Sequence, residues 1–304
     1  MIKMNWTEKY RPNVIGDLIG QHKFVADAET WISKGNLPPV LMYGVPGIGK
    51  TTAAHVLANH FLGDDKDTDF LEINASQDRK LETVRQTITN FVNTRSVSGN
   101  KFKICFLDEL EGMTRDSQRA LKRVMERATN VRFIIACNDP YAVDDAIRSR
   151  CANYFFTPIP EDVQVNRLME IITENNADFT EENARKIVDI CGGDMRRAIN
   201  ELQACIYSGK TPDNLLNEHM GPYKNCLKQL LDKNPEALDF LHRLVFAGHT
   251  VKDICGKLLQ CVLDMELSAT EKFKVVGAVG EMEWRSRSVT PKVLVAWFTA
   301  QFMK

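Results

Sequence analysis

None of the eight cysteines of this 304-residue chain forms a C-x-x-C pair, so neither a zinc ribbon nor a dithiol redox site is indicated. The six histidines show no ligand spacing. No apolar run approaches the length of a membrane span, and Met1 to Tyr10 lacks the apolar core of a signal peptide. A membrane partner is therefore not expected, and the expected location is cytoplasmic. Low-complexity segments and internal repeats are missing too. The net charge is only −1, too small to announce nucleic-acid binding in bulk. It is unevenly spread, however. Residues 1–160 carry 21 basic and 19 acidic side chains, residues 161–222 carry 6 and 12, and residues 223–304 carry 12 and 9. Any contact with a polyanion must come from a local patch.

The first 160 residues alternate helical patterns with five short apolar runs: Val40–Gly44, Phe70–Asn74, Phe102–Leu107, Val131–Ala136 and Asn153–Phe156. Apolar strands separated by helices predict an α/β fold, with a five-stranded parallel sheet covered on both faces. After Pro158 and Pro160 the strands stop. Helices fit residues 161–175, 180–191 and 194–208, with Thr180 and Asp194 as caps and Gly192-Gly193 as a stop. A second break is expected at Gly221-Pro222. Beyond it, apolar residues recur at helical spacing, as in Leu258-Leu259-Val262-Leu263. The expected domains are thus 1–160, 161–222 and 223–304. Trp284, Trp297, Phe298 and Phe302 near the chain end read first as core.

Chemistry enters with Gly44-Val45-Pro46-Gly47-Ile48-Gly49-Lys50-Thr51, which follows the first strand and, with Thr52, opens a helix. That context turns a glycine loop into a phosphate site. Inward N–H groups and the helix start attract an anion. Lys50 is expected on the β- and γ-phosphates of a nucleoside triphosphate, and the Thr51 hydroxyl on Mg²⁺. The third strand runs into Asp108-Glu109, read as the metal-side carboxylate and the general base for an attacking water. The fourth ends at Asn138, placed to hold the γ-phosphate or that water. Residues 114–128 read as one helix capped by Thr114, with Arg115, Arg119, Arg123 and Arg127 recurring every four residues. Such a row suits sequence-independent phosphate contact, or else a solvated face with Asp116 and Glu126 as intrahelical partners. Arg79, Lys80 and Arg85 form a second basic group. No aromatic residues are interleaved with either, so base stacking is not indicated.

Several motifs occur together and in order. They are Trp6-Thr7-Glu8-Lys9-Tyr10-Arg11-Pro12, Ile73-Asn74-Ala75-Ser76, Met113-Thr114 leading to Gln118-Arg119-Ala120-Leu121, Ala136-Cys137-Asn138, Ser149-Arg150-Cys151 and Gly193-Asp194-Met195-Arg196. Over roughly residues 6–205 this series resembles the replication factor C small subunits of sliding-clamp loaders, AAA+ ATPases with a helical lid and a helical collar. The resemblance implies an ATPase motor that opens a clamp on binding ATP and releases it on primer-template DNA by DNA-stimulated hydrolysis. It implies ATP and Mg²⁺ as ligands, and a hetero-pentamer with other clamp-loader subunits. Arg150 would be a finger reaching the γ-phosphate held by the neighbouring subunit. Arg196, or Arg197 if the register differs by one, would contact ATP in its own subunit, and Thr7 and Arg11 would line the base pocket. Arg79, Lys80, Arg85, Thr114, Arg115 and Arg119 would face DNA.

Some positions depart from the family pattern. Val45 and Ile48 replace the usual proline and threonine of the loop, and Leu110-Glu111 replaces Ala-Asp. A lysine, Lys80, stands near the usual glycine. The last domain resembles the family only in size and helical character, and nothing before Trp6 reads as a large-subunit extension. Two alternatives remain. A branch-migration helicase or initiator would normally add a winged helix, and no β-wing pattern appears in the final 82 residues. A non-catalytic ATP-binding scaffold is the other, and intact Glu109 and Arg150 speak against it.

Overall fold

The computed structural model describes residues 5–76, 81–96 and 99–303, without the side chains of residues 81–85 and 215–219. Arg79 and Lys80 lie outside the described residues, as does the side chain of Arg85. The chain divides into two compact units, 1–208 and 209–304.

In the first unit, β1 (Val40–Tyr43), β2 (Phe70–Asn74), β3 (Lys103–Asp108), β4 (Val131–Cys137) and β5 (Ala152–Phe155) form one sheet, ordered β2-β3-β4-β1-β5. Every pairing is parallel. The three inner strands, β1, β3 and β4, are near-continuous apolar runs because both of their faces are covered. Val40, Met42, Ile104 and Phe106 point into one core, with Phe24, Leu57 and Phe156. Leu41, Cys105, Leu107 and Ile135 point into the other, with Ile73, Leu121 and Phe133. The helices are α1 (Trp6–Lys9), α2 (His22–Lys34), α3 (Lys50–Leu62), α4 (Lys66–Asp69), α5 (Leu81–Asn93), α6 (Arg115–Arg127), α7 (Asp145–Arg148), α8 (Glu161–Glu174), α9 (Glu181–Cys191) and α10 (Met195–Ser208). The expected caps are in place. Thr180 and Asn183 close a reciprocal capping box on α9, and Gly192 ends that helix at φ 58°. Asp194 Oδ1 accepts from Arg197 N at 3.0 Å at the start of α10. Since α8, α9 and α10 pack within the first unit, the boundary between the two units falls after Ser208.

The second unit holds α11 (Pro212–Leu231), α12 (Glu236–Phe246), α13 (Val251–Asp264), α14 (Ala269–Arg285) and α15 (Pro291–Met303). The break expected at Gly221-Pro222 is not there: α11 runs straight through both residues. A proline inside a helix costs roughly 3 kcal/mol. Met220, Tyr223, Cys226, Leu227 and Leu230 around it are all buried, and side chains of that size return about 1.5–3 kcal/mol each. Burial wins. Phe298 and Phe302 are fully buried, as expected of core, and Trp297 is half-buried. Trp284 is not core, being 71% exposed.

Candidate functional site

The carboxyl ends of β1, β3 and β4 converge on one edge of the sheet, where the chain leaves each strand for chemistry-bearing residues. From β1 the chain enters the glycine loop. Gly44 adopts φ 147°, and a Cβ there would lie 2.3 Å from the Phe156 carbonyl oxygen, so no side chain fits. Gly47 adopts φ 77°, and its Cβ would collide with the Asp194 carboxylate. The loop is thus pressed against β5 on one side and against the start of α10 on the other. Lys50 opens α3 and is 8% exposed. Its Nζ donates to the carbonyls of Gly44 (2.6 Å) and Val45 (2.8 Å) and to Asn138 Oδ1 (3.1 Å). Burial pushes the Lys50 ammonium below its usual range, and the charge of Asp108 opposes that.

The Thr51 hydroxyl donates to Asp108 Oδ2 at 2.8 Å. Burial raises the Asp108 carboxyl above its usual range, and the bonds from Thr51 and the Glu109 N–H pull it back. Glu109 is one of three non-glycine residues with positive φ, 53°, among those described. Such a conformation is uncommon for a non-glycine residue, and it turns the chain sharply as it leaves β3. The Glu109 carboxylate accepts from the Ser76 hydroxyl, which also lies 2.7 Å from Asn74 Oδ1 at the end of β2. Asn138 is fixed through its backbone: its N–H donates to Glu111 Oε1 at 2.9 Å. Ser76 and Glu111 are neighbours of the site to which sequence reasoning gave no role. Reading them would have required knowing that β2, β3 and β4 are adjacent.

A cleft beside the loop is lined by Thr7, Arg11, Gly47, Ile48, Gly49, Thr52 and Arg196, bringing together residues from the chain start, the loop and α10. Trp6 explains how the chain start is held there. Its N–H donates to Gln203 Oε1 and its indole Nε1 to the Tyr207 hydroxyl, both at 3.1 Å and both on α10. Arg196 lines the cleft, whereas Arg197 lies 3.8 Å from Glu201.

Residues 40–159 match the model of the ATPase family associated with various cellular activities (AAA). The chain is 33% identical over 289 residues to the replication factor C small subunit of Archaeoglobus fulgidus, covering 92% of this chain and 91% of the relative. It is 36% identical to that of Methanoculleus marisnigri, with 92% and 90% covered. The chain belongs to the replication factor C small subunits. The Thermotoga maritima RuvB Holliday junction branch migration motor shares its fold, with a TM-score of 0.58 at 16% identity, covering 82% of this chain and 85% of that one.

In this replication factor C small subunit, Arg150 stands apart from the cleft. It follows α7 and precedes β5, at the amino-terminal edge of the sheet and opposite the glycine loop. Its guanidinium donates to the Ala146 carbonyl (2.7 Å) and to the Glu126 carboxylate. The basic helix α6 forms as expected. Thr114 accepts from Ser117 N, and Leu121, Val124, Met125 and Ala128 pack on the core. Arg115, Arg119, Arg123 and Arg127 are exposed. Asp116 pairs with Arg119 at 3.2 Å, but Glu126 pairs with Arg150 and not within its helix. Among the described residues, no helix is long and apolar enough to cross a membrane.

Proposed function

We propose that this chain is an ATP-hydrolysing motor subunit of a sliding-clamp loader, in which ATP binding opens the clamp and DNA-stimulated hydrolysis releases it on primer-template DNA. The observation that carries the reading is the separation of two half-sites. Lys50, Thr51, Asp108, Glu109 and Asn138 share one sheet edge, while Arg150 occupies the other. A chain built this way completes a site only beside another subunit. Other clamp-loader subunits, in a hetero-pentamer, would supply those neighbours.

Lys50 would exchange its loop carbonyls for the β- and γ-phosphates, and Thr7, Arg11, Thr52 and Arg196 would hold the remaining nucleotide. Glu109 would take the proton of the attacking water, with Asn138 beside the γ-phosphate. A half-buried carboxylate bonded to a hydroxyl suits a hard cation that takes few protein oxygens. Asp108 and Thr51 would therefore hold Mg²⁺. The chemistry supplied by the bound ion would be neutralisation of charge on the triphosphate. Thr114, Arg115 and Arg119 would meet DNA phosphates, joined by Arg79, Lys80 and Arg85. Phe246, Leu263, Phe273 and Trp284 leave apolar surface on the second unit. That supports a collar role for it in permanent subunit contact.

The test is ATP turnover by the chain with the proteins that co-purify with it. Turnover should rise with primed DNA and a ring clamp together. An assembled complex whose turnover ignores both would refute the clamp-loader reading.

A further inference from the structure

A long, half-exposed arginine ordinarily samples many rotamers, which is a poor state for a group that must meet a phosphate on another chain. Arg150 is instead held at two points. Nη1 donates to the Ala146 carbonyl on α7, and Nη2 to the Glu126 carboxylate in the last turn of α6, 24 residues away in sequence. The side chains of Arg150 and Glu126 are 37% and 39% exposed, so solvent screens the pair and its contribution to stability is small. What the pair fixes is direction. A guanidinium has five N–H donors in a rigid fork, and these two bonds use two of them. The other three remain for phosphate oxygens, so the finger can engage without leaving its support. The pair borders a groove lined by Asn36, Pro38, Met125 and Phe133, which leaves room beside the guanidinium.

We propose that Glu126 is the positioning residue of Arg150, aligning its guanidinium for the triphosphate of the neighbouring subunit. The proposal rests on the reading of Arg150 as a finger acting in trans. The variants are Glu126→Ala, Glu126→Gln, Arg150→Ala and Glu126→Ala with Arg150→Ala, each in the full chain and in the complex it forms with its partners. A misplacement of about 1 Å costs on the order of 10²-fold in rate, and partial loss of alignment less. Glu126→Ala should lower kcat about tenfold with KM unchanged. Glu126→Gln keeps an acceptor for Nη2 and should recover most of that loss. The double variant should be no slower than Arg150→Ala, because alignment of an absent finger is worth nothing.

In the isolated chain, ¹⁵N NMR of the Arg150 guanidinium should show hindered rotation that Glu126→Ala abolishes, at an unchanged unfolding midpoint. Unaltered turnover in Glu126→Ala overturns the proposal. So does a Glu126→Ala effect that multiplies with that of Arg150→Ala, or a freely rotating guanidinium in the wild type. If Arg150→Ala itself leaves turnover of the complex unchanged, the finger reading falls and the role of Glu126 with it.

Discussion

Removing the guanidinium of Arg150 should have no effect in one state of the protein and a large one in another. The register places Val40 level with Ala152 and Tyr43 level with Phe155. Four strand residues therefore separate Arg150 from its own glycine loop, about 13 Å at roughly 3.3 Å per residue. The side chain has five bonds from Cα to Cζ at roughly 1.5 Å each, so it reaches at most about 7.5 Å. It is also tethered at the far edge, to Ala146 and Glu126. Arg150→Ala should then leave ATP affinity and the slow turnover of a monomer unchanged. In the assembled complex the loss should approach the worth of a trans-acting finger, on the order of 10³–10⁵ in rate, or about 4–7 kcal/mol of barrier. Turnover measured against protein concentration, with the mass verified by sedimentation, separates the two states. Mixing Glu109→Gln chains, which keep the finger, with Arg150→Ala chains, which keep the base, should restore part of the activity at interfaces pairing a sound base with a sound finger. A fall in turnover of a proven monomer on Arg150→Ala would refute the geometric argument.

Gln118 is buried and bonded to the Met113 and Ala142 carbonyls and to the Asp144 N–H. Gln118→Met leaves all three backbone groups without that partner. At about 1–3 kcal/mol for each group left bare, offset by the apolar side chain, urea unfolding should show a loss of roughly 3 kcal/mol; a loss below about 1 kcal/mol contradicts the hydrogen-bond accounting. All eight cysteines are buried, and burial pushes the thiols of Cys105, Cys137, Cys151 and Cys226 up to about 12. The native chain should resist a thiol reagent at pH 8 while the unfolded chain reacts at all eight. Because the folded thiols hold their protons above the unfolded value of about 9, stability should fall as pH rises from about 9 to 12, measurable as a declining unfolding midpoint. Neutralising Arg115 and Arg119 should flatten the salt dependence of primed-duplex affinity by about 0.9 log units for each phosphate they had neutralised, without changing ATP affinity; an unchanged slope favours a merely solvated face. Truncation after Ser208 keeps the first compact unit, so ATP binding through Lys50 should persist while assembly at micromolar protein is lost. A truncated chain that still assembles without ATP, seen by light scattering, rules out the collar role.

What the sequence determined by itself was whatever depends on neighbours along the chain. Periodicity located all five strands to within a residue or so, and capping chemistry located α9 and α10, because backbone hydrogen bonding and side-chain caps act over three or four residues. The glycine loop, the carboxylates closing β3 and the arginine row of α6 were legible for the same reason. The Gly221-Pro222 break was misread for the complementary one. A local signal for a helix end was overridden by burial of Met220, Tyr223 and Leu227, which only the packed second unit supplies. The exposure of Trp284 was equally invisible, since an apolar side chain at helical spacing looks the same whether or not another helix covers it. Tertiary structure alone decided that Ser76 meets Glu109, that Glu111 holds the Asn138 N–H and that Glu126 holds Arg150. These hydrogen bonds join residues 24 to 33 positions apart. Strand order and helix packing bring them within range, and nothing in the spacing of the residues encodes that order.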